Sequence, residues 1–587
     1  MNPRYQLFLI LAVAACIFFA GLGSLPLTEP DEGRNAEVAR EMIVQHDWIT
    51  PHYDNLTYLD KPALFFWLAA GSLRLFGTSE WAARLPSVLA ALGTLLLVWM
   101  LARRMFGESA GTPAGLVFAT APLVMVFARV VVFDMTLTFL VTLTLTAFWL
   151  SQVSMRRPLL EYLMFAAAGA ATITKGPVGF LVPLLAILVY AAVQRRFADL
   201  KKIAWTPGIA IFLAVSLPWF IAVSVRHPDF PRYAFWDESI LRFTTGRARR
   251  GGSVFYYIPV FLVGFLPWSL TLTFAALNRL KRWRRFRERD NAPEAFLLSW
   301  GATVFVFFSI SHSKLPSYFL PAIPALAVLM GRIWSADVGR DTARPRPDWL
   351  TAGYASLIAL GLLLAAAPAW LQAASVHKRA VEKIHPRVLE LLSGSIFSSG
   401  IILAALGILG RNLAGRAQQQ FYTAKCFAVL ALAMPLVALR WWQPIRQYAL
   451  VSSSKSLAEA IDRGPDRGMP VYGYYYFRTS LPFYLQRPVG LVTGDASQFT
   501  SNYVATRLGA PGPDRAVKMM AADGVALPLV VTGSEFTALG RSPPAPFLVM
   551  VRNDQNLDIE NLPSVVQPLW TAWKYSVWEV SARASSR

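Results

Sequence analysis

Thr28-Glu29-Pro30-Asp31-Glu32-Gly33-Arg34 follows directly on the first long apolar run, residues 5–25. That run is long enough to cross a bilayer, and the segment after the motif is polar. Three carboxylates and a guanidinium are therefore gathered where the first membrane helix ends. Glu29 and Glu32 flank Asp31, and like charges this crowded repel unless a cation or a substrate sits among them. Pro30 pins the backbone, and Asp31 stands where a cap would stand for a helix opening at Glu32. Two readings of Asp31 are open on these residues alone: an interfacial helix cap, or a charged residue of a site.

Working outward, 55% of the 587 residues are hydrophobic and 16% are charged. Apolar runs of about 20 residues recur, which is the length of a membrane-crossing helix. This excludes a soluble enzyme and predicts an all-α polytopic membrane protein. The expected spans, about thirteen by length and hydropathy, are 5–25, 81–102, 111–128, 132–152, 159–174, 177–194, 206–225, 254–277, 294–311, 315–334, 349–372, 394–411 and 421–443. Residues 5–25 are expected to be a retained helix, since no small-residue cleavage site precedes the charged stretch. Cys16 and Cys426 both lie in apolar runs, so no disulfide framework is readable.

With the N-terminus in the cytoplasm, every inner connection carries at least two cations. These include Arg103-Arg104, Arg156-Arg157, Arg195-Arg196 with Lys201-Lys202, and Arg340 with Arg344. That is the positive-inside pattern. The basic run at 279–289 reads as part of this topology signal, and nucleic acid is not an expected partner. An odd number of spans leaves the tail outside, in a bacterial periplasm.

Two domains are expected, a transmembrane domain over 1–443 and a periplasmic α/β domain over 444–587. The tail carries 14 Lys/Arg and 11 Asp/Glu, about +3 of the net +21, so most of the positive charge belongs to the membrane part. Its β-prone runs at 471–476, 527–532, 547–551 and 574–581 alternate with helix-like stretches at 454–463 and 514–522. Within the first outer loop, 26–80, two interfacial helices are expected, an amphipathic one at 33–45 and an apolar one at 62–76 with Pro62 at its first position.

The outer side holds most of the unusual polar residues. Tyr58, Asp60 and Lys61 stand in YLDKP, Arg129 and Asp134 flank a short outer turn, and Lys175 sits at the next. Arg242, Arg247, Arg249 and Arg250 follow in the loop 226–253, and His312, Lys314 and Tyr318 in SHSKLPSY. Ionisable residues near membrane depth are costly and usually functional. Bland readings stand beside the sharp ones: lipid headgroups for the arginines, an ion pair with Arg129 for Asp134, snorkelling for Lys61. A lone His312 is a weak metal signal.

A first span, an acidic Pro-Asp-Glu motif opening a long outer loop, and a second acidic residue at the next outer turn resemble the integral-membrane glycosyltransferases of GT-C fold. EPDEGRNAEVAREM, DWITPHY, YLDKP, RVVVFDM, TKGP and SKLPSYFLPAIPALA are similar to the aminoarabinose transferases of lipid A, cousins of the protein O-mannosyltransferases. The motifs cover roughly the first 330 residues. Where many such transferases have Glu before the lysine, this chain has Asp60.

The resemblance implies transfer of 4-amino-4-deoxy-L-arabinose from undecaprenyl phosphate to a lipid A phosphate, by inverting displacement at the outer face of the inner membrane. It implies Asp31 and Asp134 as catalytic carboxylates. Glu29, Glu32, Arg34, Tyr58, Lys61, Arg242, Arg247, Lys314 and Tyr318 would bind substrate. Cations suit the leaving phosphate and carboxylates suit the sugar's developing positive charge. No cofactor is certain, and a divalent metal at Asp60 or His312 is left open. The partners would be the lipid-linked donor, lipid A and membrane lipids. A protein O-mannosyltransferase-like enzyme is the nearest rival. A transporter would place its charges at the midplane between related halves, and a membrane-anchored binding module would need only one span.

Overall fold

The computed structural model describes residues 3–153, 158–245, 251–280, 288, 291–338, 348–373, 385–415, 420–463, 468–494, 497–509, 519–522, 525–555 and 564–582. They fall into two compact units. One comprises Met1–Leu22 with Arg84–Ile445, the other Gly23–Ala83 with Arg446–Arg587. Residues 26–80 thus share a unit with the tail.

In the membrane unit each expected span is helical, but not every helix is a full span. Among the described residues eight helices are long and apolar enough to cross a bilayer, from Glu80–Phe106 through Thr423–Ser452. A ninth arises if Tyr257–Gly264 and Trp268–Leu277, bent by 115° at their junction, form one crossing. The remainder are short or broken. Pro3–Phe19 and Val178–Gln194 have 17 residues each, and Pro158–Lys175 carries Glu161 and Lys175 within its 18. The 111–128 run is interrupted at Ala121, which is extended with ψ 124° because it precedes Pro122. Small residues bring helices close. A Cβ on Gly361 would lie 2.4 Å from the backbone nitrogen of Ala404, and one on Gly400 the same distance from that of Ala365. At these two glycines the helices Asp348–Ala373 and Pro386–Gly415 approach to backbone contact.

The second unit is a mixed sheet with helices. β1 (His52–Tyr53) and β2 (Leu56–Thr57) form a hairpin whose turn residues Asp54 and Asn55 have φ of 53° and 61°, as a type I′ turn requires. Six tail strands follow in the spatial order β7-β4-β3-β8-β10-β9. They are β3 (Val471–Tyr474), β4 (Gly490–Val492), β7 (Val530–Val531), β8 (Phe547–Arg552), β9 (Val565–Thr571) and β10 (Tyr575–Ser581). β3, β4, β7 and β8 pair in parallel, and β10 is antiparallel to both β8 and β9. Tyr472, Val492, Phe536, Phe547 and Val549 form its core. A small hairpin of β5 (Met519–Ala522) and β6 (Val525–Pro528) stands apart from the main sheet.

Three expectations change. Of the helix expected at 514–522, the described part is β5, because Met519 to Ala522 pair antiparallel with β6; residues 514–518 lie outside the described residues. The helix Leu64–Phe76 begins two residues after Pro62 and has Ala63 as its cap, so Pro62 is not its first residue. The helix Asp31–Val44 is buried over most of its length instead of lying along an interface. Its charges are satisfied inside the unit: Glu37 takes both Nε and Nη2 of Arg40 at 2.7 Å.

Candidate functional site

The acidic motif is held by the tail. Glu29 accepts from the N–H of Thr479 at 2.5 Å and of Ser480 at 2.9 Å, and from the hydroxyls of Thr479, Ser480 and Ser454. Arg478 adds a cation 3.8 Å away. Glu32 closes the motif on itself, accepting from the N–H and hydroxyl of Thr28 at 3.1 and 2.8 Å. The close approach needs a glycine: a Cβ on Gly33 would lie 2.5 Å from both Cα and Cβ of Ser480.

The helix-cap reading of Asp31 does not hold. Pro30 occupies the cap position without a side-chain bond, and Asp31 is the first helical residue. Its Oδ1 accepts from Nη2 of Arg34 at 2.5 Å, while the side chain stays 44% exposed. Arg34 itself is buried. Its Nη1 donates to the carbonyl and hydroxyl of Thr500 at 2.9 and 2.8 Å, and its Cζ lies 5.7 Å from the ring centre of Tyr58. Burial opposes the charge of Arg34, but Tyr58, Asp31 and Asp60 outweigh it and keep the guanidinium protonated. Both of its terminal nitrogens thus have protein partners. Tyr58 is fully buried, edge-on to Tyr53 and Phe66.

The two oxygens of Asp60 accept from the N–H groups of Asn502 and Tyr503 at 3.0 and 2.9 Å, at the start of the tail helix Asn502–Gly509. Its neighbour Lys61 is half-buried. The sequence reading missed a further buried set on the helix Asp31–Val44 and in the turn between β1 and β2: Glu37, Glu41 and Asp54. Glu41 accepts from the N–H of Asn55 and the amide of Gln45, each at 3.0 Å. Burial, then the charges of Glu37 and Asp54, pushes Glu41 well above the usual carboxylate range. Burial does the same to Asp54, opposed by a bond from the N–H of Val489. Glu37 and Glu41 lie four apart on the helix and Asp54 in an Asp-Asn turn; that spacing was the available signal.

In the membrane unit the helix Asp134–Val153 opens with Asp134, whose Oδ1 accepts from Nζ of Lys175 at 2.5 Å. Their side chains are 9% and 12% exposed. The lysine ammonium lies 4.4 Å from the ring centre of Tyr318. Arg129 is not the partner of Asp134: it donates to the carbonyls of Met125 and Ala20 at 2.9 and 3.2 Å. Lys175 of TKGP therefore supplies the cation. Lys314 is buried and donates to the carbonyls of Phe308, Ser309 and Ser311. It closes the C-terminal end of the helix Ala292–Ile310 in this way. His312 is exposed, with Nδ1 3.3 Å from the Phe243 carbonyl. Among the described residues no group of three His, Cys, Asp or Glu is disposed to hold a metal. Arg247 and the side chain of Arg242 lie outside the described residues.

A family model described as dolichyl-phosphate-mannose-protein mannosyltransferase matches residues 60–221. The undecaprenyl phosphate-alpha-4-amino-4-deoxy-L-arabinose arabinosyl transferase of Aeromonas salmonicida is 32% identical over 423 residues, which is 70% of this chain and 73% of the relative. The enzyme of the same name from Edwardsiella ictaluri is 36% identical over 308 residues, 52% of this chain and 55% of the relative. The chain thus spans little more than half of that relative's length. Among solved structures, ArnT from Cupriavidus metallidurans bound to undecaprenyl phosphate superposes with a TM-score of 0.81 at 28% identity, covering 99% of both chains.

Proposed function

Because the chain belongs to the undecaprenyl phosphate-aminoarabinose arabinosyl transferase family, we propose that it moves 4-amino-4-deoxy-L-arabinose from undecaprenyl phosphate to a phosphate of lipid A. An acceptor phosphate oxygen attacks the anomeric carbon, the bond to the carrier phosphate breaks, and undecaprenyl phosphate leaves with inversion. The acceptor is already anionic at neutral pH, so no general base is needed. The observation that carries the reading is the half-exposed carboxylate of Asp31, held at one oxygen by a buried arginine. A site that keeps a fixed anion suits a sugar bearing an ammonium group and gaining positive charge in the transition state.

Asp31 is assigned to the sugar and Lys61 to the carrier phosphate. Arg34, with both terminal nitrogens engaged, is assigned to orienting Asp31. Tyr58 supports Arg34 through its ring, 5.7 Å from the guanidinium carbon. Glu29, Glu32 and Lys314, whose polar atoms have protein partners, are assigned to holding the backbone. Asp134, with Lys175 and Tyr318, is assigned a charged role in transfer that is tested separately. Multiple apolar helices make the chain a multi-pass membrane protein. We place it in the bacterial inner membrane with its acidic motif toward the periplasm, from the cations of the inner connections.

The match to a mannosyltransferase family model favours a second reading, transfer of a hexose to a protein hydroxyl. Mass spectrometry of lipid A from cells with and without the gene separates the two. The first predicts an amino-pentose on lipid A phosphate only when the gene is present. Unchanged lipid A alongside newly glycosylated protein would favour the second.

A further inference from the structure

The tail segment 500–503 touches the acidic motif and the YLDKP loop at once. Thr500 accepts twice from Nη1 of Arg34, through its carbonyl and its Oγ1. Two residues on, the N–H groups of Asn502 and Tyr503 hold both oxygens of Asp60, the chain neighbour of Lys61. Thr500 also has φ of 55°. A β-branched residue in the left-handed region is an outlier. Glycine or asparagine would take up that backbone more easily. What threonine adds is an oxygen on the arginine that grips Asp31.

We propose that segment 500–503 is a positioning element for sugar transfer. Thr500 sets the guanidinium of Arg34 and through it the carboxylate of Asp31. The N–H groups of Asn502 and Tyr503 set Asp60 and through it the backbone that carries Lys61. The guanidinium is planar, so fixing Nη1 from the tail fixes the direction in which Nη2 presents itself to Asp31. The tail thereby acts on chemistry it does not touch. This rests on the roles proposed above for Asp31 and Lys61.

The two arms have different kinetic signatures. Thr500→Val keeps shape but removes the Oγ1 acceptor; Thr500→Ser keeps the acceptor. In proteoliposomes of the full chain, with lipid-linked aminoarabinose and lipid A, Thr500→Val lowers kcat about tenfold while donor KM stays within about twofold, since the lost bond is to a charged group. Thr500→Ser restores kcat to within about twofold of the unsubstituted protein. Asp60→Ala instead weakens binding of a short-chain polyprenyl phosphate about tenfold. Thermal unfolding in detergent supplies the control for folded protein. The inference is overturned if Thr500→Val keeps full kcat, if Thr500→Ser is no better than Thr500→Val, or if Asp60→Ala binds the carrier phosphate normally. Asp31→Asn runs in parallel. If it is inactive while Thr500→Val is normal, only the positioning role fails; if Asp31→Asn is fully active, the assignment of Asp31 fails first.

Discussion

Gly33→Ala adds one methyl to the helix Asp31–Val44 at its tightest approach to the tail. At an exposed helical position this change stabilises by about 1 kcal/mol, because alanine is the better helix former. At Gly33 the new Cβ would lie 2.5 Å from Cα and 2.7 Å from the backbone nitrogen of Ser480. Backbone atoms cannot swing aside as the end of a long side chain can. Overpacking of this kind costs about 1–3 kcal/mol. If Ser480 gives way, it takes with it the N–H and hydroxyl bonded to Glu29, and loosening one hydrogen bond to a charged group costs about 1.5–3 kcal/mol. After subtracting the gain in propensity, the net destabilisation is about 1.5–5 kcal/mol. Gly71 in the helix Leu64–Phe76 is the control, since no heavy atom lies within 4 Å of a Cβ built there. Thermal unfolding of the purified protein in detergent should therefore place Gly33→Ala well below the unsubstituted protein and Gly71→Ala level with it or above. Equal midpoints for the two variants would refute the claim that the acidic motif is clamped on the backbone at Ser480.

Asp31→Asn should leave expression and unfolding unchanged and abolish transfer, measured in membranes at matched protein level; Asp134→Asn should also abolish transfer. Lys61→Ala should weaken binding of a short-chain polyprenyl phosphate about ten- to a hundredfold, with Lys61→Arg between the two. Lys175→Met strands the carboxylate of Asp134, nine-tenths buried, and should destabilise by about 3–5 kcal/mol; the double variant Lys175→Met with Asp134→Leu should recover most of that, as read by thermal unfolding. The second unit should gain stability as pH falls from neutral toward 5. Glu41 and Asp54 have folded pKa values raised above their unfolded ones, so the folded state holds extra protons in the window between the two, and stability is lost as pH rises through it. The groups facing them are Glu37 and Arg40, and Asp54→Asn should flatten the dependence.

The helices were legible because their signal is local. Apolar runs of bilayer length need no tertiary context to be read, and each expected span overlaps a helix, though among the described residues only eight or nine are long enough to cross a bilayer. The tail strands β3, β8 and β10 were legible from their β-prone runs; β4, three residues long, was not. Among the candidate site residues, Asp31, Asp134 and Lys61 stood out because charges near membrane depth are conspicuous. Their partners did not. Arg34 meets Thr500 across 466 residues and Glu29 meets Thr479 across 450, and no spacing rule spans such distances. Lys314 donates to the carbonyls of Phe308, Ser309 and Ser311, because an ammonium near a helix end serves carbonyls as readily as a phosphate.

The most direct test of the account is transfer by the purified full-length protein in vesicles containing lipid A and undecaprenyl phosphate-linked aminoarabinose, read by mass spectrometry of the lipid. The account predicts lipid A gaining one amino-pentose on phosphate, with release of undecaprenyl phosphate, and no gain with Asp31→Asn. Folded, carrier-binding protein that leaves lipid A unmodified, or an Asp31→Asn variant that modifies it at the full rate, would contradict the account.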